Sequence, residues 1–180
     1  RLLADQDSLT GLLNRRGFDL ATPDFRVSPL PSGAVLICDI DHFKTVNDRF
    51  GHATGDRVII ALASLLRETL PANAKIARFG GEEFVAYVPN LPASQLAVLA
   101  NMVRSAFAAR SWSEGPFPVH ITSSFGVSAI ELGDHSIHDA ISRADGFLYR
   151  AKEAGRNQVV QEGIAVLAAN ASHGLKVVAN

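Results

Sequence analysis

The stretch Lys75-Ile76-Ala77-Arg78-Phe79-Gly80-Gly81-Glu82-Glu83-Phe84-Val85-Ala86-Tyr87-Val88 decides the fold. Two short strand-like runs flank a pair of glycines followed by a pair of acids, which reads as a β-hairpin with carboxylates at its tip. Glycine permits positive φ and lets a bulky ligand approach the backbone closely. Carboxylates are hard oxygen donors of the kind Mg²⁺ takes. A phosphate-cradling loop of the Walker or Rossmann type has a helix directly after its glycines; here a strand follows, so neither applies.

Composition sets outer bounds. The 180 residues suit one domain with its own core, and 47% hydrophobic with 19% charged residues is a globular balance. A formal net charge of -1 offers no footprint for unspecific binding to nucleic acid or an anionic membrane, so a phosphate ligand must be held by a few local cations and a metal. Cys38, the one cysteine, lies in an apolar run and reads as a small buried hydrophobe rather than a catalytic thiol. A lone cysteine excludes an internal disulfide and suits a reducing cytoplasm. No run approaches the ~20 apolar residues of a spanning helix, and no signal peptide is visible. Starting at Arg1 rather than methionine, the chain is expected to be an excised domain or processed product, preceded by a sensor or anchor.

Working outward from the hairpin, Ala34-Val35-Leu36-Ile37-Cys38 is a continuous apolar run, as in a central strand covered on both faces, and it ends in Asp39-Ile40-Asp41. Phe43 to Phe50 reads as a short helix closed at Gly51, and a second helix is expected from Asp56 until Pro71 stops it. Residues 22–33 read as a loop, 93–109 as a helix and 119–130 as a strand. Ser136 with Asp139 resembles a capping box for a last helix ending at Gly155-Arg156-Asn157, before a short strand Gln158-Val159-Val160. Asn14 marks a helix start. Residues 1–160 are expected to form the domain, and 161–180 a tail of unknown role. Mixed strands and helices with a hairpin favour an α+β sandwich over a doubly wound parallel sheet.

Three groups of residues carry chemistry. Asp39, at the end of the buried strand, meets Glu82 and Glu83 if the strands are neighbours, and such crowded carboxylates call for a cation. Glu82 and Glu83 alone equally suit a solvated turn. Adjacent strand residues point to opposite faces, so the two can share a metal only if the turn bends the chain. The second group runs from Asp39-Ile40-Asp41-His42-Phe43-Lys44 through Asn47 to His52 and Asp56. Asn with Asp could read the donor and acceptor edge of guanine, yet both could as well be helix caps, and spacing leaves this open. His42 and His52 suit structural roles better than catalysis. The third group is Lys152 with Arg156, either a pair complementing a helix C-terminus or, with Lys44, a phosphate clamp.

Together these stretches resemble the GGDEF family of diguanylate cyclases. The similar segments are Asp7-Ser8-Leu9-Thr10-Gly11-Leu12 with Asn14-Arg15-Arg16, Asp39 to Asp56, Gly80-Gly81-Glu82-Glu83-Phe84 as a Glu variant of the signature, and Arg143-Ala144-Asp145 through Asn157. The match runs in order from about Ala4 to Val160. It implies a fold like the palm of adenylyl cyclases and polymerases, with a mainly antiparallel five-stranded sheet flanked by helices. It implies condensation of two GTP into cyclic di-GMP with release of two pyrophosphates, in a homodimer with one GTP per subunit. By the same resemblance, Asp39, the Ile40 carbonyl, Glu82 and Glu83 would bind Mg²⁺, two ions per site with Mn²⁺ a substitute, and Glu82 would meet the reacting 3′-hydroxyl. Asn47 and Asp56 would read guanine, and His52 would lie near base or ribose. Lys44, Lys152 and Arg156 would hold phosphates, Lys44 also stabilising the transition state, with backbone N–H groups of Phe43 and Lys44 assisting. The alternative is a GTP-binding regulatory module without turnover. Many members carry an Arg-x-x-Asp product-binding motif just upstream of the glycines; here Pro71-Ala72-Asn73-Ala74 stands there, so no product-inhibition site is expected. An upstream regulatory domain, no nucleic-acid partner, no direct membrane contact and a cytoplasmic location complete the expectation.

Overall fold

The computed structural model describes residues 2–26, 30–113, 118–162, 164–166 and 177–179. A short 3-10 helix, Leu2–Asp5, leads to α1 (Arg15–Ala21), where the Asn14 side chain accepts from the Gly17 N–H as the expected N-cap. Then follow β1 (Gly33–Ile40), α2 (Phe43–Phe50), α3 (His52–Thr69), β2 (Lys75–Arg78), β3 (Glu83–Pro89) and α4 (Ala93–Ala109). Two-residue strands β4 (Trp112–Ser113) and β5 (Pro118–Val119) make a small ribbon before β6 (Ser123–Ala129), α5 (Ile137–Glu153) and β7 (Val159–Gln161). Strands β8 (Ile164–Val166) and β9 (Val177–Ala179) close the chain.

The main sheet runs β2-β3-β1-β6-β7, with β8 and β9 added outside β7. All its pairings are antiparallel except β6 with β7, giving the expected mainly antiparallel α+β sheet. Apolar residues fall on both faces of β1. Leu36, Cys38 and Ile40 join Leu62, Leu66, Leu96 and Phe107 of α3 and α4, while Val35 and Ile37 join Phe18, Ile141 and Leu148 of α1 and α5. The continuous apolar run is therefore the middle of three layers. Cys38 is fully buried, and burial pushes its thiol well above its ordinary value, as an inert core residue requires.

Several boundaries differ from the sequence reading. Helix α3 begins at His52 rather than Asp56, with Gly51 at φ 85 as its N-cap, so Asp56 lies a turn inside. Asn47 lies inside α2; neither residue is a cap. The strand expected over 119–130 is split at His120–Thr122, its first part pairing with Trp112 instead. Neither Gly80 nor Gly81 takes positive φ. A Cβ on Gly81 would meet nothing within 4 Å and one on Gly80 only Glu83 Cβ at 3.8 Å, so what these glycines provide is open backbone surface. The tail expected over 161–180 contributes the two outer strands, and most of its remaining residues lie outside those described. Among the described residues no helix is long and apolar enough to cross a membrane.

Candidate active site

One end of the sheet gathers the chemistry. Strand β1 runs toward it and ends there, while β3 and β6, being antiparallel to β1, begin there; register places Asp39 opposite Glu83 on one side and Ser124 on the other. Helix α2 starts directly beyond β1, and the C-terminal turn of α5 brings Lys152 and Arg156 to the same end.

The Asp39 carboxylate is largely buried, its side chain 13% exposed. One oxygen pairs with the Lys152 ammonium; the other, Oδ1, is buried without a partner among the described residues. Burial raises the Asp39 pKa, the Lys152 contact opposes this, and the nearby charges of Asp41 and Glu82 raise it further. Glu83 is also pushed up, by burial first and then by Asp145 and Asp39, against Arg15 and Lys152. Glu82 and Glu83 thus both reach the field of Asp39. Among the described residues, however, no three acidic, histidine or cysteine side chains converge as a ready-made metal set. The ammonium of Lys152, placed by sequence in a phosphate clamp, lies against the carboxylate instead. An orphan carboxylate oxygen amid mutually repelling acids nevertheless fits a hard divalent cation, with Asp39, Glu82 and Glu83 as the donors to hand.

Next to this cluster α2 opens without a side-chain cap. Its N-cap residue, His42, sits at φ 53 and makes no capping hydrogen bond, so the first-turn N–H groups at Phe43 and Lys44 are available to an anion. Lys44, His52, Asp56 and Arg156 are exposed. Asn47 points toward α3, where its Oδ1 is buried and, among the described residues, unpartnered. The absence of a side chain at Gly55 makes this possible, since a Cβ there would overlap Asn47 Oδ1 and stand 3.1 Å from its Cγ.

Two residues without an assigned role hold the frame. Asp41, 5% exposed, accepts from Thr122 Oγ1 (2.7 Å), Ser124 Oγ (2.7 Å) and the Asn157 N–H (3.1 Å), tying the end of β1 to β6 and to the turn after α5. Arg78 grips the glycine turn from below: its Nη2 donates to the Gly81 carbonyl (2.7 Å) and its Nε to those of Gly81 (3.0 Å) and Gly80 (3.2 Å). Its Nη1 meets Asp7 Oδ1 at 3.1 Å, and Asp7 also accepts from the Thr10 hydroxyl and N–H. The N-terminal Asp7-to-Leu12 segment is thereby fastened to the glycine turn. The sequence signal was an arginine directly before an acidic hairpin tip, with a far-off aspartate to answer it. At the neighbouring Phe79, Arg15 stacks 4.4 Å from the ring centroid and Phe18 packs edge-on at 5.3 Å.

A family model described as diguanylate cyclase, GGDEF domain, matches residues 4–158. The diguanylate cyclase DgcM of Escherichia coli strain K12 is 39% identical over 160 residues, covering 87% of this chain and 38% of DgcM. A diguanylate cyclase of Vibrio cholerae is likewise 39% identical, over 87% of this chain and 49% of its own length. The chain therefore spans less than half of either relative. Among solved structures, the coiled coil and GGDEF domain of DgcB from Caulobacter crescentus, in complex with c-di-GMP, superposes with a TM-score of 0.81 at 33% identity, covering 89% of this chain and 87% of that one. The active GGEEF domain of a Vibrio cholerae diguanylate cyclase gives 0.75 at 36% identity, covering 83% and 97%.

Proposed function

This chain belongs to the GGDEF family of diguanylate cyclases, and from the geometry of its site we propose that it is a catalytic domain that condenses two GTP molecules into cyclic di-GMP. Two such domains face one another, each holding one GTP. The 3′-oxygen of each nucleotide attacks the α-phosphorus of the other, the bond to the bridging oxygen of pyrophosphate breaks, and each 3′-hydroxyl gives up its proton. Two pyrophosphates leave.

Asn47 and Asp56 read the guanine edge, Asn47 with the buried Oδ1 that has no partner among the described residues. The uncapped start of α2 receives phosphate oxygens on the N–H groups of Phe43 and Lys44. Lys44, Lys152 and Arg156 add positive charge, and Lys44 faces the charge that develops on the α-phosphate. Asp39, the Ile40 carbonyl, Glu82 and Glu83 hold Mg²⁺, which when bound supplies Lewis-acid stabilisation to the phosphoryl oxygens. Glu82 takes the 3′-hydroxyl proton, and His52 flanks the base or ribose. The domain works in the cytoplasm beneath a regulatory segment of a longer protein.

One observation supports this reading above the rest. Unsatisfied acceptors on Asp39 and Asn47 and the open donors of α2 meet at a single end of the sheet, where GTP with a divalent cation complements all of them. The test is incubation with GTP and Mg²⁺ over a range of protein concentrations, with chromatography for cyclic di-GMP and an enzyme-coupled assay for pyrophosphate. Specific activity should rise with concentration as paired domains form, and Glu82→Ala should abolish turnover while keeping the fold. GTP binding without product would instead make the chain a regulatory module.

A further inference from the structure

Helix α4 carries an arginine where its apolar stripe should continue. Arg104 shares the buried face with Leu96, Ala97, Ala100, Val103 and Phe107 and is 5% exposed. Among the described residues no carboxylate pairs with it. Its hydrogen bonds go to two amide oxygens, Nε to Asn101 Oδ1 and Nη1 to Asn157 Oδ1, each at 2.8 Å. A buried guanidinium answered only by neutral acceptors is costly, and a methionine would fill the same space without that cost. What methionine could not do is hold Asn157.

Asn157 belongs to a turn that needs holding. Gly155, Arg156 and Asn157 follow one another at φ 114, 64 and 47, and only the first is a glycine. Side-chain-bearing residues seldom adopt this region, and two in succession persist only where surrounding contacts impose them. Here the contacts come from three directions. The Arg156 N–H donates to the Ala151 carbonyl at 2.9 Å, and the Asn157 N–H donates to Asp41 Oδ2 and Ser124 Oγ, both at 3.1 Å. From α4, in the layer on the other side of the sheet from α5, comes the Arg104 bond. The turn is thus tied to its own helix, to the ends of β1 and β6, and to the opposite layer.

We infer that Arg104 and Asn157 form a positioning couple for the phosphate-binding Arg156: they fix the strained backbone from which its exposed side chain reaches GTP and never touch the nucleotide themselves. The inference rests on the phosphate role proposed above for Arg156. It has a specific consequence. Freeing the turn removes no more binding than deleting the Arg156 side chain does, and it leaves guanine reading at Asn47 and Asp56 untouched.

The experiment is a double-mutant cycle read by calorimetric affinity for a non-hydrolysable GTP analogue, alongside thermal unfolding. Arg104→Met should weaken binding about fivefold or more while the preference over the ATP analogue stays as in the parent chain. In an Arg156→Ala background the same substitution should add nothing. Equal losses in both backgrounds would show independent action and overturn the proposal, as would a lower melting temperature with the affinity of the folded fraction unchanged. If Arg156→Ala itself leaves affinity untouched, the phosphate role falls and the positioning role with it; if Arg156→Ala weakens binding but Arg104→Met does not, only the positioning role falls. Should Arg104→Met fail to fold, Asn157→Gly, which tolerates φ 47 and removes the carboxamide that accepts from Arg104, takes its place in the same cycle.

Discussion

Gly55→Ala sets two effects of known sign against each other. Within a helix, alanine is favoured over glycine by roughly 0.5–1 kcal/mol. Position 55 lies in α3, so this gain applies. Against it stands Asn47, whose Oδ1 a Cβ at this position would overlap, with Asn47 Cγ at 3.1 Å and Phe43 Cζ at 3.2 Å. These neighbours are side-chain atoms, not backbone, so the amide can swing aside and the helix pair survives. Ordinary contact is restored only when the amide withdraws by on the order of 1 Å, enough to lengthen a hydrogen bond past its useful range. Losing one such bond to guanine, with a buried polar group left unpaired, costs about 1–3 kcal/mol, or roughly 5- to 150-fold in affinity. The expected outcome is a melting temperature within a few degrees of the parent and a GTP-analogue dissociation constant raised by that factor, with discrimination against the ATP analogue narrowed. Calorimetry and thermal unfolding on the same preparation provide both numbers. An intact fold with unchanged affinity and unchanged base preference would refute the guanine role of Asn47, because the amide cannot keep its present position beside an alanine.

Three further outcomes are expected. Arg78→Met removes the contacts to the Gly80 and Gly81 carbonyls and to Asp7, and should lower stability by about 2 kcal/mol at neutral pH in denaturant titrations. Burial alone would push the Asp7 carboxyl up, but its bonds to Thr10 and Arg78 outweigh this and leave it below its ordinary 3.8. The ion-pair share of the stabilisation is therefore full above that value and lost as pH falls through the folded one, so the gap between parent and variant should narrow in acid to what the Gly80 and Gly81 contacts contribute; a constant gap would refute the ion-pair contribution. Gly126→Ala should cost about 3 kcal/mol or more, since its Cβ would strike the Ala144 carbonyl and the Leu148 N of α5, backbone atoms that cannot swing aside; a melting temperature like the parent's would count against the packing of α5 on β6. Added cyclic di-GMP should leave initial rates unaffected by any binding at Pro71 to Ala74, and a footprint there with strong inhibition would contradict this.

What the sequence disclosed followed the range of the forces involved. The hairpin about Gly80-Gly81, the continuous apolar run of β1 and the Ser136–Asp139 capping box are patterns written within a few consecutive residues, and each formed as expected. The sequence pattern places the start of helix α3 a turn late because His52-Ala53-Thr54-Gly55 carries no apolar period and the start is set by the backbone of Gly51. The two-residue pairing of Trp112 with Val119 is too short to leave a pattern. Residues acting across the fold were the least visible. Arg78 answers an aspartate 71 positions away, and Asp41 answers Thr122, Ser124 and Asn157. Arg104 belongs with them: the helical period over 93–109 places the helix, and only the packed structure shows its arginine buried on the apolar face and reaching Asn157.

The pairing of Lys152 with Asp39 joins two roles that the sequence kept apart. A carboxylate so little exposed, with Glu82 and Asp41 in its field, requires a countercharge to remain ionised, and the last turn of α5 provides one. Under the proposed function the same ammonium is needed by the phosphates, so Lys152 cannot serve both partners fully at once. Its release from Asp39 is compensated only when the carboxylate gains other positive charge at the moment the nucleotide brings negative charge to the lysine. Under that function, binding of nucleotide and of divalent cation would be coupled through one side chain, each making the other more favourable. Replacing Lys152 with methionine should separate them: affinity for the GTP analogue falls, and its dependence on Mg²⁺ concentration weakens. A variant whose nucleotide affinity keeps the parent's full Mg²⁺ dependence would show that the coupling runs elsewhere.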